Sequence, residues 1–160
     1  GKATLTVTAS SPADGVYGDV APTITPSYTG FVLGDDEADL DTAPICGTTY
    51  VLGSAPGDYP TSCSGGADTN YAFSYSAGNF RVGKATLTVT ASSPADGVYG
   101  DVAPTITPSY TGFVLGDDEA DLDTAPICGT TYVQGSAPGD YPTSCSGGAD
   151  TNYALSLIHI

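Results

Sequence analysis

The first residues of the chain alternate between apolar and hydroxyl side chains. Over residues 3–9, alanine, Leu5 and Val7 take every second position, and threonines take the positions between them. A period of two is typical of a half-buried β-strand, with one apolar face and one polar face. We therefore predict a strand over residues 3–9.

Further short extended segments follow, separated by turn-forming residues. The stretch 22–31 contains Pro22 and Pro26, which cannot donate to a β-ladder, so we predict an edge strand or an irregular one. The stretches 43–50 and 59–64 are predicted as two short strands joined by a loop rich in Gly, Pro and Asp.

The stretch 70–82 carries its aromatic residues at every second position. Tyr71, Phe73 and Tyr75 share one face, and the sequence Ser-Ala-Gly-Asn then leads into Phe80 and Val82. A turn of this composition between two alternating segments predicts a β-hairpin. The apolar residues of both strands are expected to face the core.

The whole pattern occurs twice, with a period of 82 residues. Residues 1–72 and 83–154 differ at one position, where Leu52 corresponds to Gln134. Because a unit of this length suffices for a small domain, we predict two modules, 1–82 and 83–154. The second is truncated, since it lacks a counterpart of the closing strand, and we expect it to be the less stable one.

The last six residues depart from the repeat. Residues 155–160 read Leu-Ser-Leu-Ile-His-Ile, which resembles the translation of a common transposase sequencing adapter. We therefore expect this tail to be adapter-derived and the single histidine, His159, to have no function. A genuine divergent terminus is the alternative. Apolar side chains such as Leu157, Ile158 and Ile160 are expected to be exposed there.

The composition favours β-structure over helices. The chain has 21 Gly and 12 Pro, many Ser and Thr, and few Leu, Glu or Lys, whereas 40% hydrophobic residues suffice for a core. We predict an all-β protein of two tandem small β-rich modules. Each is β-grasp-like or Ig-like and has at most one short helical turn, in the acidic segment that begins near Asp35.

The charge balance excludes several classes of partner. With 3 basic and 18 acidic residues the net charge is −15, so no nucleic acid partner is expected, because phosphate binding depends on Lys and Arg. The same charge disfavours anionic membrane surfaces. No run of about 18 apolar residues is present, so no membrane insertion is predicted.

Each module contains two cysteines that are 17 residues apart, Cys46 with Cys63 and Cys128 with Cys145. Two cysteines without a CxxC spacing make a poor zinc site, and a redox pair would be more closely spaced. We predict one disulfide per module, with a buried pair of free thiols as the alternative. Disulfides indicate an oxidising compartment, so an extracellular or cell-surface location is expected.

Several short motifs occur in a fixed order in both modules. They are Val-Tyr-Gly-Asp at 16–19, Gly-Phe-Val-Leu-Gly-Asp-Asp-Glu-Ala-Asp-Leu at 30–40, Gly-Asp-Tyr-Pro-Thr-Ser-Cys-Ser-Gly at 57–65, and the junction segment 69–89. Together they resemble MBG domain repeats of the YGX type, over all of residues 1–154. Such repeats occur in tandem in large bacterial secreted and surface proteins, including adhesin-like ones. The resemblance implies a mostly-β extracellular module with a structural or adhesive role, and no catalytic residues to transfer.

The acidic segments are the main candidate for metal chemistry. Carboxylates at alternating positions are typical of part of an EF-hand loop, although Leu40 and Cys46 stand where that loop has Gly and Glu. A solvated helix cap explains the same residues, so Ca²⁺ is kept as an alternative and no cofactor is predicted. The candidate ligands are Asp35, Glu37, Asp39, Asp41, Asp117, Glu119, Asp121 and Asp123.

No enzyme is predicted, because the abundant Ser and Thr have no base to activate them once His159 is set aside. Tyrosines could stack on sugars, but in a small β domain without Trp they more often fill the core. The candidates are Tyr17, Tyr28, Tyr50, Tyr59, Tyr71 and Tyr75.

The predicted function is that of a structural or adhesive repeat, a spacer or stalk in a large bacterial surface or secreted protein. Its partners are the neighbouring modules of the same chain and, in an adhesive role, a host or cell-surface glycan or protein. The alternative is a glycan-binding or Ca²⁺-binding surface module.

Overall fold

The structure is a computed structural model that describes residues 1–158. The chain divides into two compact units, Gly1–Gly83 and Lys84–Ile160, and each is built from β-strands with a single 3₁₀ turn. The predicted all-β class, with at most one short helical turn per module, is confirmed. Over residues 1–158 there is no helix with the length and apolarity to cross a bilayer. His159 and Ile160 lie outside the described residues.

The first unit has seven strands and a 3₁₀ turn at Glu37–Asp39. The strands are β1 (Ala3–Ala9), β2 (Gly15–Val16), β3 (Pro26–Thr29), β4 (Ile45–Thr48), β5 (Gly57–Ser64), β6 (Tyr71–Ser76) and β7 (Gly78–Gly83). They form two sheets, with strand orders β3-β1-β6 and β2-β7-β5-β4.

The second unit has five strands among its described residues and a 3₁₀ turn at Glu119–Asp121. The strands are β8 (Ala85–Ala91), β9 (Pro108–Thr111), β10 (Ile127–Thr130), β11 (Thr143–Ser146) and β12 (Tyr153–Ile158). They form sheets with strand orders β12-β8-β9 and β10-β11.

Strand β1 is the centre of the first sheet, and its alternating sequence places Leu5 and Val7 fully inside. It pairs antiparallel with β3 and parallel with β6. Strand β3, which begins at Pro26, is an edge strand as predicted, because a proline has no N–H for a second ladder. Strand β1 is therefore covered by backbone partners on both sides.

The two sheets of the first unit enclose a common core. Leu5 and Tyr71 of the first sheet lie in one buried cluster with Cys63 of β5. The same cluster also contains Val7, Ala9, Ile24 and Leu40. Sheets that share a core in this way form a β-sandwich. Between β3 and β4 the chain has a single 3₁₀ turn, Glu37–Asp39.

The predicted hairpin over 70–82 is wrong. Strand β6 pairs with β1, whereas β7 pairs with β5 and β2 in the other sheet, and Ala77 alone separates the two strands. The chain changes sheets at Gly78, where a Cβ would lie 2.6 Å from the Thr61 hydroxyl and 2.8 Å from the Ala9 carbonyl. The backbone passes this point because glycine has no side chain to clash there.

The change of sheet at Gly78 places Phe80 and Val82 in an apolar site that β6 does not cover. Both side chains are only 3% exposed and lie in a cluster with Tyr50 and Tyr59. The rings of Tyr50 and Phe80 meet edge to face, with centroids 5.2 Å apart. Since these apolar groups would otherwise meet water, their burial explains why β7 leaves the first sheet.

No strand within residues 84–158 takes the position that β7 has in the first unit. Strand β5 has eight residues, whereas its counterpart β11 has four, and residues 139–142 lie outside the sheet. The exposed fraction rises from 7% at Tyr17 to 71% at its counterpart Tyr99. The second unit thus keeps its first sheet and has an open second sheet.

Strand β12 takes the place of β6 with a different sequence. It pairs parallel with β8 and sets Leu155 beside Leu87 and Leu157 beside Val89. Both leucines pack against the core, so the prediction that Leu157 is exposed is wrong, because its register gives it the inward face. Ile158, on the opposite face, is 46% exposed as expected.

Adding a counterpart of β7 is predicted to stabilise the second unit. Replacing residues 155–160 by the sequence of residues 73–83 should stabilise the second unit by about 3 to 6 kcal/mol, through burial of one Phe and one Val. Calorimetric unfolding of the full chain measures this as a higher melting temperature of the weaker transition. The control is the same graft with serine in place of the residues that correspond to Phe80 and Val82. Equal melting temperatures of the two grafts would contradict the prediction.

Candidate functional site

Two carboxylates of the acidic segment cap its 3₁₀ turn. Asp36 Oδ1 accepts a hydrogen bond from the Ala38 N–H at 2.8 Å, and Asp39 Oδ2 accepts one from the Asp36 N–H at 2.8 Å. This reciprocal pair is a capping box. Asp118 and Asp121 form the same box in the second unit.

The other acidic side chains of the segment face different partners. The Tyr71 hydroxyl donates to Asp35 Oδ2 at 2.7 Å, and Asp41 Oδ2 accepts from the N–H and the hydroxyl of Thr69 at 2.9 and 3.0 Å. In the second unit the Tyr110 hydroxyl donates to Glu119 Oε2 at 2.5 Å. The carboxylates thus bind separate parts of their own unit.

This arrangement does not gather the Ca²⁺ candidates into a site. Over residues 1–158 no group of three or more Asp, Glu, His or Cys side chains is placed to hold a metal ion. Asp39 and Asp121 satisfy backbone N–H groups, and Asp41 and Asp123 hold the loops that carry Thr69 and Thr151. The geometry therefore supports a structural role for the acidic segments and gives the Ca²⁺ hypothesis no support.

A buried carboxylate that was not singled out from the sequence joins two loops. Asp68 Oδ1 accepts from the Asp41 N–H at 3.0 Å, and Asp68 Oδ2 accepts from the Asn70 N–H at 2.7 Å. The Asn70 N–H holds the pKa of Asp68 below its ordinary value, and the Asp41 N–H acts in the same direction. The available signal was the spacing Asp-Thr-Asn, since Asp side chains often accept from the N–H two residues later.

Both units contain the predicted disulfide. Cys46 is bonded to Cys63 and Cys128 to Cys145, and no cysteine within the described part of the chain is free. Each bond joins directly facing residues of adjacent antiparallel strands. Cys63 also lies in the core cluster of the first unit, so the disulfide links the edge strand β4 to the core.

The tyrosines of the first unit belong mainly to its core. Tyr17, Tyr50 and Tyr71 are buried, and Tyr28 and Tyr59 are half-buried. Tyr75 is exposed, but its hydroxyl accepts from the Gly66 N–H at 2.8 Å and its ring stacks on Phe73. A sugar platform needs several free ring faces together, and this packing favours the core interpretation.

The Tyr-Gly-Asp turn at 17–19 connects to the last strand of its unit. Gly18 has a φ of +95°, which glycine adopts without strain, and Asp19 Oδ2 accepts from the Val16 N–H at 2.9 Å. The Tyr17 N–H donates to the Gly83 carbonyl at 2.9 Å, and the Tyr50 hydroxyl donates to the Asp19 carbonyl. The turn therefore fixes the end of β7 against the second sheet.

A sequence model of a known domain family, described as MBG domain (YGX type), matches residues 5–81 and 87–159. The chain belongs to the MBG domain family of the YGX type. Each match covers nearly one complete unit, so the predicted tandem MBG repeat is confirmed. No curated protein and no solved structure is significantly similar to the chain.

The environment of Asp68 predicts a pH dependence of the first MBG unit. Because its pKa is lower in the folded state than the ordinary value of about 3.9, Asp68 stabilises the fold above that value. This stabilisation is lost as the pH falls below it. We expect the difference in urea midpoint between the wild type and Asp68→Asn to be larger at pH 6 than at pH 3. Asp14→Asn, at an exposed position, is the control, and an Asp68→Asn difference that does not depend on pH would contradict the prediction.

The disulfide is predicted to contribute strongly to the stability of each MBG unit. A bond that closes a loop of this length stabilises by about 3 kcal/mol. Changing Cys46 and Cys63 together to serine should therefore lower the stability of the first unit by about that amount, as measured by urea unfolding of the full chain. The matched double variant at Cys128 and Cys145 should affect the second unit alone, and unchanged unfolding of both double variants would refute the prediction.

Proposed function

We propose that these MBG units serve as an extracellular spacer, part of a stalk in a large bacterial surface or secreted protein. The observation that carries the proposal is the direct succession of two near-identical units, each with its own disulfide. Strand β7 ends at Gly83 and β8 begins at Ala85. Because only one residue separates these strands, there is almost no flexible linker between the units. Each additional repeat therefore extends the chain by a folded unit.

The covalent chemistry of the units supports an extracellular location. Disulfides persist in oxidising compartments and are rare in the cytosol, where thiols are kept reduced. The net charge of −15 keeps such repeats soluble and makes neighbouring chains repel one another. Both properties suit a segment that is exposed at high local density on a cell surface.

The contacts of the charged and aromatic side chains support a structural role over a catalytic one. The acidic segments cap turns and join loops, and most tyrosines of the first unit fill its core. A spacer needs only such a stable fold, because its function depends on length and rigidity. We therefore propose a non-catalytic function for these units.

A series of lengthened chains tests the spacer proposal. One, two or four further copies of residues 1–83 are inserted before residue 84, and the maximum dimension is measured by small-angle X-ray scattering. A spacer predicts that the maximum dimension increases by a constant amount with each copy. Dimensions that grow only as the cube root of chain mass would mean that the repeats collapse on one another, and would contradict the proposal.

The adhesive alternative is tested separately with glycans. The fluorescently labelled chain is applied to an array of bacterial and host glycans, with the Tyr75→Ala variant as a matched control. The spacer proposal predicts no saturable binding to any glycan. Saturable binding that the Tyr75→Ala variant loses would instead assign an adhesive surface to the first unit.

A further inference from the structure

The outward side of strand β1 carries a threonine at every second position. Thr4 is exposed, and Thr6 and Thr8 are half-buried between the neighbouring strands. Leu5 and Val7 lie on the opposite side and are fully buried. The alternation that builds the core therefore also builds a regular row of hydroxyl groups along the outside of the first sheet.

The strands on both sides of β1 extend this row sideways. Thr6 lies directly between Thr29 of β3 and Ser74 of β6. The next row repeats the arrangement, with Thr8 between a serine of β3 and a serine of β6. We call this surface the hydroxyl face, and its two complete rows consist of Thr6, Thr8, Ser27, Thr29, Ser74 and Ser76.

The fold itself makes little use of these hydroxyl groups. Ser27 Oγ donates to the Thr8 carbonyl at 3.4 Å, and within residues 1–158 no other side chain of the face hydrogen-bonds to a protein group. Each hydroxyl can donate one hydrogen bond and accept two. Nearly all of this hydrogen-bonding capacity is therefore directed towards water.

The hydroxyl face is uncharged in a strongly acidic chain. None of the 18 acidic and 3 basic residues lies in β1, β3 or β6. A charged group orients the surrounding water around itself, whereas a neutral hydroxyl donates and accepts in several directions. The face therefore suits a neutral, hydrogen-bonded partner and not an ionic one.

The sheet fixes the positions of the hydroxyl groups. Strand β1 has backbone partners on both sides, and the χ1 angle of threonine is restricted by its branched Cβ. Alternate residues of a strand lie about 6.4–6.8 Å apart, and neighbouring strands lie about 4.7–4.9 Å apart. These two distances resemble the two repeat distances of water molecules on a prism face of ice.

The second unit repeats the central row of the face. Strand β8 carries Thr86, Thr88 and Thr90 on its outward side. Thr88 lies between Thr111 of β9 and Ser156 of β12. Each unit therefore has a hydroxyl face of its own.

We propose that the hydroxyl face binds the surface of ice. Its hydroxyl groups order water at positions that continue into the crystal lattice, and the threonine methyl groups lie between these water molecules. Neighbouring strands are rotated by about 20–25°, so the match is best in the central row and the binding is moderate. This function goes beyond a spacer and does not depend on it, because it gives each unit a ligand of its own.

Enrichment of the full chain in slowly growing ice tests the proposal. An ice hemisphere is grown on a cooled probe in a dilute solution of the chain, and the protein in ice and liquid is measured from the absorbance of its 11 tyrosines. A protein without affinity for ice is excluded as the crystal grows. The wild type should be enriched in ice several-fold over the double variant Thr6→Arg, Thr88→Arg, in which a large charged side chain occupies the centre of each face.

Two further double variants locate the contact. Thr49→Arg with Thr131→Arg adds the same charges at exposed positions outside the face, and it should be enriched like the wild type. Ser74→Arg with Ser156→Arg adds them in the neighbouring strands β6 and β12, at exposed positions of the central row, and it should lose enrichment. Because this variant leaves β1 and β8 unchanged, it provides the test even if arginine in the central strands prevents folding.

Enrichment of the wild type and of the Thr49 variant, together with its loss in a folded variant of the face, supports the proposal. The proposal is overturned if the wild type is excluded from ice, or if folded face variants are enriched as strongly as the wild type. It is also overturned if the chain binds insoluble cellulose or chitin through this face and is excluded from ice, because the partner would then be a neutral polysaccharide.

Discussion

The burial of Phe80 and Val82 against Tyr50 and Tyr59 is the interaction on which the second sheet of this MBG unit depends. Where β7 supplies these side chains, β5 has eight residues and β2 is part of the sheet. In the second unit the same sequence lacks such a strand within the described residues, and four strand residues remain in β11. Because the aligned residues are almost identical, the difference lies in a distant partner strand and not in local propensity.

The first sheet, unlike the second, is complete in both units. Strands β6 and β12 differ at the positions of Phe73 and Tyr75, which Leu155 and Leu157 occupy, yet both strands pair parallel with the first strand of their unit in the same register. An alternating apolar segment is sufficient here, because the inward face of a half-buried sheet specifies only size and hydrophobicity. Leu155 and Leu157 pack against the core of the second unit, as Phe73 does in the first, whereas Tyr75 is exposed and stacks on Phe73.

This contrast explains how much of the fold could be predicted from sequence. The alternation around Leu5, the proline of β3, the capping acids and the cysteine spacing are local signals, and each predicted its element or bond. The passage from β6 to β7 was missed, because Ser-Ala-Gly-Asn suits a tight turn as well as a change of sheet. Tertiary contacts around Gly78 determine that the chain changes sheets there and does not form a tight turn. Asp68 was missed for a similar reason, since one of its backbone partners, Asp41, is 27 residues away.

Hydrogen exchange is the most direct test of the dependence on β7. The segments 52–61 and 134–143 differ only at Leu52 and Gln134, so mass spectrometry distinguishes them within one sample of the full chain. If β7 organises the second sheet, segment 52–61 is protected at the amides of residues 57–61, which pair with β7, whereas segment 134–143 exchanges rapidly. Equal protection of the two segments would show that this sheet edge forms without β7 and would contradict the account.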